Sequence, residues 1–282
     1  FTAVIDKTHA VDSPEGVRDA GKALRRQIDL KIIPEVDTYR FSKIADNAAT
    51  KDYTAVTSSN AYSKFLDANG AIDDKEMPVE GRVAYVSPKY FNLIKLDSNF
   101  VKASDIAQEM LIKGQVGEID GVKIVKVPAK RLPAGASFII TNPMSTPAPV
   151  KLEDYKIHSD PPGIAGHLIE GLVYYDAFVL DNKKDMIATQ YGDFGTLTLT
   201  MEAGASGKGT LTITGNTNGG TLVYKTAASV TAATLGGDVP SWTAVPTDGV
   251  ISATTGHKVA VAIDVDGKAV AASAAITVAV GA

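Results

Sequence analysis

The stretch "SPEGVRDAGKALRRQIDLKIIPEVDTYRFSKIAD", Ser13 to Asp46, predicts one unusually long helix. Ser13, or Asp12 before it, can cap the free amides, and Pro14 suits the first helical position. Apolar residues recur mostly at spacings of three or four and form one stripe, which consists of Val17, Ala20, Leu24, Ile28, Ile32, Val36 and Ile44. At about 1.5 Å per residue, such a rod would be roughly 45–50 Å long.

Pro34 lies inside this predicted helix. A proline has no amide hydrogen to donate, and its ring crowds the carbonyl four residues before it. We therefore expect the rod to bend at Pro34.

Composition and charge exclude several classes of protein. The chain has 282 residues, 45% of them hydrophobic, and a formal net charge of -4, so it can bury a core and lacks the basic balance of a dedicated nucleic-acid binder. It contains no cysteine, which excludes disulfides and thiolate metal sites. No apolar run approaches the ~20 residues that span a bilayer, so we expect no membrane association.

The first residues, "FTAVIDKTHAVD", alternate apolar and polar at Phe1, Ala3 and Ile5, as a β-strand does. These residues do not themselves form a signal peptide of the charged-then-apolar kind. We expect a chain that starts inside a strand to be processed, truncated or cut down to its ordered part, and the sequence leaves these alternatives open.

The middle of the chain predicts mixed helices and strands. The expected elements are a helix over Asn60–Ile72, a strand over Gly81–Pro88, a helix from Pro88, a helix over 102–114, a hairpin over 116–128 with an Asp120-Gly121 turn, and a strand from Ala136. The segment 166–192 reads as a long strand, a turn at Asp181-Asn182, and a return strand. The predicted class for this part is therefore α+β.

The composition changes near Gly195. By count, residues 196–282 contain four Lys, no Arg and five Asp or Glu, roughly a tenth of the segment, whereas about a quarter of the preceding residues are charged. Short β-branched runs separated by Gly and Asn turns predict a small β-sandwich there, with its clearest hairpin turn at Asp266-Gly267. We place a domain boundary between Gln190 and Ala205.

No stretch of the sequence predicts an active site. "GASGKGT", Gly204–Thr210, lacks the Ser or Thr and the first glycine of a phosphate loop, and "DVDGK", Asp264–Lys268, lacks most of a calcium loop. "DDKE", Asp73–Glu76, reads as a solvated helix end. The four histidines, His9, His158, His167 and His257, stand far apart in sequence. We expect no catalytic, cofactor or metal residues and no enzyme activity.

Four blocks taken together resemble the major capsid proteins of tailed bacteriophages, in particular of the branch that infects Gram-positive bacteria or resides in them as prophages. The blocks are "DAGKALRRQIDLKIIPEVDTYRFSKI" (Asp19–Ile44), "GRVAYVSPKYFNLIK" (Gly81–Lys95), "GEIDGVKIVKVP" (Gly117–Pro128) and "GLVYYDAFVLDNKKDMIA" (Gly171–Ala188). The resemblance covers residues 1 to about 192 and implies the HK97-type capsid fold, an α+β fold with a long spine helix.

The resemblance also implies how the segments act. The long helix would be the spine of a peripheral domain, residues 60 to 150 would form an axial domain around five-fold and local six-fold axes, and the hairpin Leu168–Ala188 would lead the chain back. "FTAVIDK" would be the returning strand of an extended loop that overlaps a neighbouring subunit. The family's amino-terminal arm and outgoing strand should precede Phe1, so from this chain alone we expect monomers or incomplete rings.

The implied partners are other copies of the chain in pentamers and hexamers, together with scaffold, portal or protease proteins. The shell would enclose phage DNA without sequence-specific binding, and it would be a virion component assembled in the bacterial host cytoplasm. The charged face of the long helix, with Arg25 and Arg26, is where we expect subunit contacts.

Residues 196–282 resemble the Ig-like domains appended to phage structural proteins. The resemblance implies a capsid domain over residues 1–192 and an Ig-like β-sandwich over 193–282 on the outer face of the shell. That domain would attach weakly to host surfaces or carbohydrate, or act as a spacer or stabiliser. Trp242 and Tyr224 are the only Phe, Tyr or Trp residues in 196–282. We expect Trp242 to anchor the core of the sandwich rather than bind sugar.

Two other functions remain open from the sequence. An encapsulin-like compartment that houses an enzyme would share the capsid fold, so the pattern separates it poorly from a phage head. A surface adhesin with an Ig-like tip would account for the β-sandwich but not for the long helix.

Overall fold

A computed structural model describes residues 1–6, 20–97, 117–159, 161–193 and 195–281. The predicted helix start at Ser13, the predicted helix over 102–114, and His9 lie outside these residues. By its internal contacts the chain divides into two compact units. Unit 1 comprises Phe1–Arg40 and Pro147–Phe178, and unit 2 comprises Phe41–Thr146 and Val179–Ala282.

Unit 1 contains a three-stranded antiparallel sheet in the order β1-β8-β7. The strands are β1 (Thr2–Asp6), β7 (Val150–Ser159) and β8 (Gly166–Tyr175). β1 pairs with the first half of β8, from Thr2 opposite Glu170 to Asp6 opposite Gly166. The strand that the alternation of "FTAVID" predicts is therefore confirmed, and its hydrogen-bonding partner is a strand about 165 residues further along the chain.

The chain is helical without a break from Ala20 to Asp46. Helix α1 (Ala20–Gln27) continues into a π-helical turn, Ile28–Ile32, and then into helix α2 (Ile33–Asp46). The Ile33 amide donates to the Ile28 carbonyl, five residues back. A π turn offers each carbonyl a donor one residue later than an α turn does, which suits the turn before Pro34, where the proline donates no hydrogen bond. The departure from α-helical hydrogen bonding thus begins before Pro34.

The first sheet of unit 2, called here the central sheet, has six strands in the order β2-β9-β6-β3-β5-β4. The strands are β2 (Thr50–Asp52), β3 (Val83–Val86), β4 (Glu118–Ile119), β5 (Val122–Lys126), β6 (Gly135–Thr141) and β9 (Ala188–Asp193). Helices α3 (Ala61–Asp73) and α4 (Pro88–Leu96) accompany it. Phe65 of α3 and Tyr90 of α4 pack on Phe138 of β6, with ring centroids 5.4 and 4.7 Å away.

Several local predictions for this part are confirmed. The helices expected at Asn60 and at Pro88 are α3 and α4, and the strand expected between them is β3. Ser87 caps α4 by accepting a hydrogen bond from the Tyr90 amide, with Pro88 in the first turn. The Asp120-Gly121 turn has positive φ angles of 51° and 72°, as a two-residue hairpin turn requires.

The predicted hairpin over 166–192, and with it the hairpin Leu168–Ala188, is wrong. β8 ends at Tyr175, Asp181–Met186 is a 3-10 helix rather than a turn, and β9 pairs with β2 and β6 in the central sheet. The long hairpin is instead β7 with β8. The sequence of β7, "VKLEDYKIHS", carries so many charged residues that its strand character is hidden.

The second sheet of unit 2, called here the C-terminal sheet, has eight strands. They are β10 (Gly195–Ala203), β11 (Lys208–Thr214), β12 (Thr221–Ala227), β13 (Thr243–Ala244), β14 (Val250–Ser252), β15 (Lys258–Val265), β16 (Lys268–Ser273) and β17 (Ile276–Thr277). The predicted hairpin turn at Asp266-Gly267 is confirmed, with φ angles of 52° and 82°. β10 pairs with β16 in parallel, beside the antiparallel pairs of the remaining strands.

The central and C-terminal sheets share one hydrophobic core. A single cluster of buried side chains joins Ala136 and Tyr191 of the central sheet, and Leu132 in the loop before β6, to Val261 and Val270 of the C-terminal sheet. The change in composition near Gly195 therefore marks the passage from one sheet to the other inside one compact unit. The division into domains 1–192 and 193–282 stays a prediction.

Candidate functional site

Unit 1 buries few apolar side chains and exposes many. Each of the three clusters of buried apolar side chains found among the described residues consists of unit 2 residues. Nine of the fourteen large apolar side chains that are exposed in the described chain nevertheless belong to unit 1. They are Phe1, Val4, Leu30, Ile33, Tyr39, Ile157, Leu172, Tyr174 and Phe178. Exposed apolar surface in such quantity is typical of a protein interaction site.

The inner face of the unit 1 sheet packs on the helix. Ile169 of β8 is 2% exposed, and the Tyr175 ring lies edge-on to Tyr39 of α2 at 5.6 Å. The Tyr39 hydroxyl also donates to the Asp176 carboxylate over 2.8 Å. A cavity of about 240 Å³ lies between helix and sheet. Its lining residues include Ile32 and Val36, so these members of the predicted helical stripe face the sheet.

The opposite side of this sheet is a second apolar surface, which we call the outer sheet face. Because side chains alternate along a strand, Leu168, Leu172 and Tyr174 of β8 point away from Ile169 and Tyr175. Val4 of β1 lies directly opposite Leu168 in the ladder. Val4, Leu172 and Tyr174 are 57%, 57% and 59% exposed. These four residues define the outer sheet face.

Polar and charged side chains line the outer sheet face. His158 Nε2 lies 3.2 Å from Glu170 Oε2 across β7 and β8, and Lys156 Nζ lies 2.9 Å from Asp154 Oδ2. All four residues share the parity of Leu168 and Leu172 in the β7–β8 register, so their side chains are on the same side of the sheet. The outer sheet face thus has an apolar strip with a polar, mainly acidic border.

The helix presents a third surface, the helix strip, formed by Leu30 of the π turn and Ile33 of α2. Their exposed fractions are 68% and 41%. Ile32 and Val36 occupy the side of the helix that faces the sheet, so Leu30, two residues from Ile32, lies on the far side. Arg25 and Asp29 form an exposed ion pair of 3.0 Å beside the helix strip.

A joint of hydrogen bonds connects the two sheets of unit 2. The Ala134 amide donates to the Asn218 carbonyl over 2.7 Å, and the Asn218 side chain donates to the Lys130 carbonyl over 2.5 Å. Gly135, which begins β6, has a φ of +74°, and a Cβ added there would come within 2.8 Å of the Val270 Cβ. The backbones of the two sheets therefore meet closely enough that only glycine fits at this position.

Asp266, at the tip of the β15–β16 hairpin, is a second point of this joint. Its carboxylate lies 2.7 Å from Lys51 Nζ and accepts a hydrogen bond from the Tyr53 hydroxyl over 3.1 Å. The hydrogen bond from Lys51 lowers the pKa of Asp266 from its usual value. The Tyr53 ring stacks on Tyr191 at 5.2 Å, and burial raises the pKa of both hydroxyls.

The motifs that the sequence offered for chemistry lie at structural positions in the described part of the chain. Asp73 forms an ion pair with the buried Arg82 guanidinium at 2.7 Å. The segment Gly204–Thr210 includes the connection between β10 and β11. His158 pairs with Glu170, and His257 precedes β15. His167 belongs to β8, and its Nδ1 atom is buried without a hydrogen-bond partner. Within the described ranges, no group of three or more His, Cys, Asp or Glu side chains has metal-binding geometry.

Trp242 packs against a small cluster of the C-terminal sheet that contains Val223, Val239, Ala262 and Ala269. This placement agrees with the expectation that Trp242 anchors a core. None of the helices in the described part of the chain is both long enough and apolar enough to span a membrane.

Sequence reasoning predicted subunit contacts at the charged side of the helix, which stays a prediction, and did not predict the outer sheet face. Leu172 and Tyr174 stand in the quoted block "GLVYYDAFVLDNKKDMIA". In that stretch Leu172, Val173, Tyr174 and Tyr175 are all apolar or aromatic, so no alternation indicates which side is exposed. Knowledge of which face the helix covers was needed to identify the outer sheet face.

Comparison with known proteins gives a likeness of fold. No protein-family model and no curated protein sequence matches this chain. A solved structure of the capsid of cyanophage P-SCSP1u is similar with a TM-score of 0.55 and 16% identity, over 68% of this chain and 70% of that chain. A solved structure of Mycobacterium phage Che8 is similar with a TM-score of 0.53 and 16% identity, over 67% of this chain and 68% of that chain. At this identity the likeness shows that the chain shares a mixed α+β fold with these phage structures.

Proposed function

We propose that this chain is the major capsid protein of a tailed phage or prophage, which assembles into the icosahedral shell of the head. The observation that carries the proposal is the likeness of its fold to the cyanophage capsid structure, over about two thirds of both chains. The resemblance of the sequence blocks supports the same conclusion independently of the structure.

The exposed apolar surface of unit 1 supports the proposal that many copies of the chain assemble with one another. Among its described residues, only Ala20, Ile169 and Ala177 are apolar side chains that are buried in the single chain. Hydrophobic burial is the dominant favourable term in most protein association, at about 25 cal/mol per Å² of apolar surface. Contact with further copies would remove the exposed side chains of unit 1 from water.

In this proposal the fold is of the HK97 type. The helix from Ala20 to Asp46 acts as the spine, residues 1–192 form the capsid domain, and residues 193–282 form an Ig-like β-sandwich on the outer surface. The partners are copies of the chain in pentamers and hexamers, with scaffold, portal or protease proteins during assembly in the host cytoplasm. The shell encloses phage DNA without reading its sequence.

Electron microscopy and light scattering of the complete natural protein test this function. The expected result is closed, uniform particles of virus-head size. Small uniform particles that retain a cargo enzyme would favour the compartment function instead. A complete protein that stays monomeric at all concentrations would contradict both shell functions.

A further inference from the structure

Two apolar surfaces of unit 1 lie on opposite sides of it, and we propose that they bind each other between copies. In this arrangement, which rests on the proposed shell function, the outer sheet face of one copy (Val4, Leu168, Leu172 and Tyr174) docks on the helix strip (Leu30 and Ile33) of a second copy.

The geometry of unit 1 makes this contact heterologous. The helix covers the inner face of the sheet through Ile32 and Val36, so the outer sheet face and Leu30 point in opposite directions. When two unlike patches on opposite sides of a subunit bind, each copy keeps one free patch of each kind. Such head-to-tail contacts continue from copy to copy and close into rings where the rotation between copies permits it, whereas a self-complementary contact ends at a dimer.

The helix of unit 1 and the outer sheet face carry opposite net charge. The helical residues 20–40 contain five cations and three anions, a net charge of +2; they are Lys22, Arg25, Arg26, Lys31 and Arg40, and Asp29, Glu35 and Asp37. The strand positions that share the side of the outer sheet face contain the anions Asp6, Asp154 and Glu170 and the cation Lys156, and these four groups sum to a charge of -2.

This difference in charge favours the unlike pairing over the like ones. Docking two outer sheet faces would bring net negative borders together, and docking two helix strips would bring two net positive helices together. Complementary charge across an interface accelerates association and suppresses wrong partners, so it selects the head-to-tail arrangement. The predicted role of Arg25 and Arg26 in subunit contacts thereby gains a specific counterpart, the acidic border of the outer sheet face.

The absence of cysteine from the 282-residue sequence allows a direct test. Leu30→Cys and Leu172→Cys are made in separate copies of the chain, because both side chains are exposed and neither change opens a cavity. The two variants are mixed at high concentration and oxidised, and disulfide-linked dimers are quantified on non-reducing gels. We expect the mixture to give at least about tenfold more cross-linked dimer than either variant alone.

A matched control uses an exposed leucine of unit 2. Leu235 is 41% exposed, so Leu235→Cys mixed with Leu172→Cys reports random collision. Cross-linking of Leu30→Cys with Leu172→Cys at the level of this control would overturn the proposal. A predominance of Leu172→Cys dimers would also overturn the proposal, because it would indicate a self-complementary contact. Full protection of both thiols when an unrelated protein is added would overturn it as well.

Charge reversal tests the electrostatic part of the contact. Arg25→Glu with Arg26→Glu in the Leu30→Cys copy should lower the cross-linked yield about tenfold. When this charge-reversed copy is mixed with a Leu172→Cys copy that carries Asp154→Arg and Glu170→Arg, the cross-linked yield should be restored. An unchanged yield in the first variant, or no recovery in the second, would contradict the proposed pairing. If electron microscopy of the complete protein shows particles but the cross-linked yield stays at the control level, the shell function is retained and only this contact is contradicted.

Discussion

Gly135 provides a sharp test of the joint between the central and C-terminal sheets. Its φ of +74° lies in the left-handed region, and a Cβ at this position would come within 2.7 Å of the Val270 carbonyl oxygen and 2.8 Å of the Val270 Cβ. Neither atom belongs to the far end of a flexible side chain. In Gly135→Ala the backbones of β6 and β16 must therefore move apart.

The expected loss of stability has two parts. Left-handed backbone costs a non-glycine residue about 1–2 kcal/mol. Forcing an extra methyl group into a packed interior costs about 1–3 kcal/mol. The free energy of unfolding should thus fall by about 2–5 kcal/mol. Gly207→Ala is the matched control, because Gly207 also belongs to unit 2, has a φ of +68°, and has no atom within 4 Å of an added Cβ. It should lose only the backbone part.

Urea unfolding at low protein concentration measures both variants. Trp242 is the only tryptophan and lies in the C-terminal sheet region, so its fluorescence follows that sheet, while far-ultraviolet circular dichroism follows the whole chain. Gly135→Ala should shift both transitions by more than Gly207→Ala does. Equal losses in the two variants, within about 0.5 kcal/mol, would refute the argument that the sheets meet at Gly135.

Three further tests address side chains of unit 2. The Arg82 guanidinium is largely buried and donates to Asn69 Oδ1, the Met77 carbonyl and the Pro78 carbonyl. Arg82→Lys should therefore lower the free energy of unfolding in urea by about 3 kcal/mol, whereas Arg26→Lys at an exposed position should lower it by under ~0.5 kcal/mol. Equal effects of the two changes would contradict this role of Arg82. Asp266→Asn should lose about 1 kcal/mol at pH 7, because the Asp266 side chain is 60% exposed. Lys51 holds the pKa of Asp266 below its usual 3.8, so this stabilisation is present above pH 3.8 and is lost as the pH falls through the lower folded-state pKa; a difference between wild type and variant that persists in acid would contradict the ion pair. Burial raises the pKa of three tyrosines, Tyr53, Tyr90 and Tyr191. In an ultraviolet titration of the folded chain these three should stay protonated above pH ~10. Full ionisation of all ten tyrosines at that pH would contradict their burial.

Local signals in the sequence predicted local structure well. Ser87 and Pro88 indicated the start of α4 because a cap and a first-turn proline act within one helical turn. The Asp120-Gly121 and Asp266-Gly267 turns were recognised because their backbone angles favour glycine and few other residues. Each of these features depends on neighbours in sequence.

Long-range pairing could not be predicted in the same way. β8 resembled one half of a hairpin with β9, yet it pairs with β1 and β7, and β9 joins the central sheet. Alternation along a strand indicates that one face is buried but not which strand lies beside it. This limit also applies to the outer sheet face, because Val4 joins Leu168, Leu172 and Tyr174 of β8 only when β1 and β8 pair.

Deleting the C-terminal sheet tests how far the predicted boundary near Asp193 separates two folding units. Leu132 and Tyr191 are fully buried, in one cluster with Val261 and Val270 of the C-terminal sheet. Exposing a large apolar side chain costs about 1.5–3 kcal/mol, so exposing these two alone would cost about 3–6 kcal/mol, against a total of about 5–15 kcal/mol for a typical domain. Residues 1–192 alone should therefore unfold at lower urea concentration, without a sharp transition, and should bind a hydrophobic dye. Cooperative unfolding of 1–192 with the midpoint of the 282-residue chain would contradict the shared core, because the central sheet would then be stable by itself.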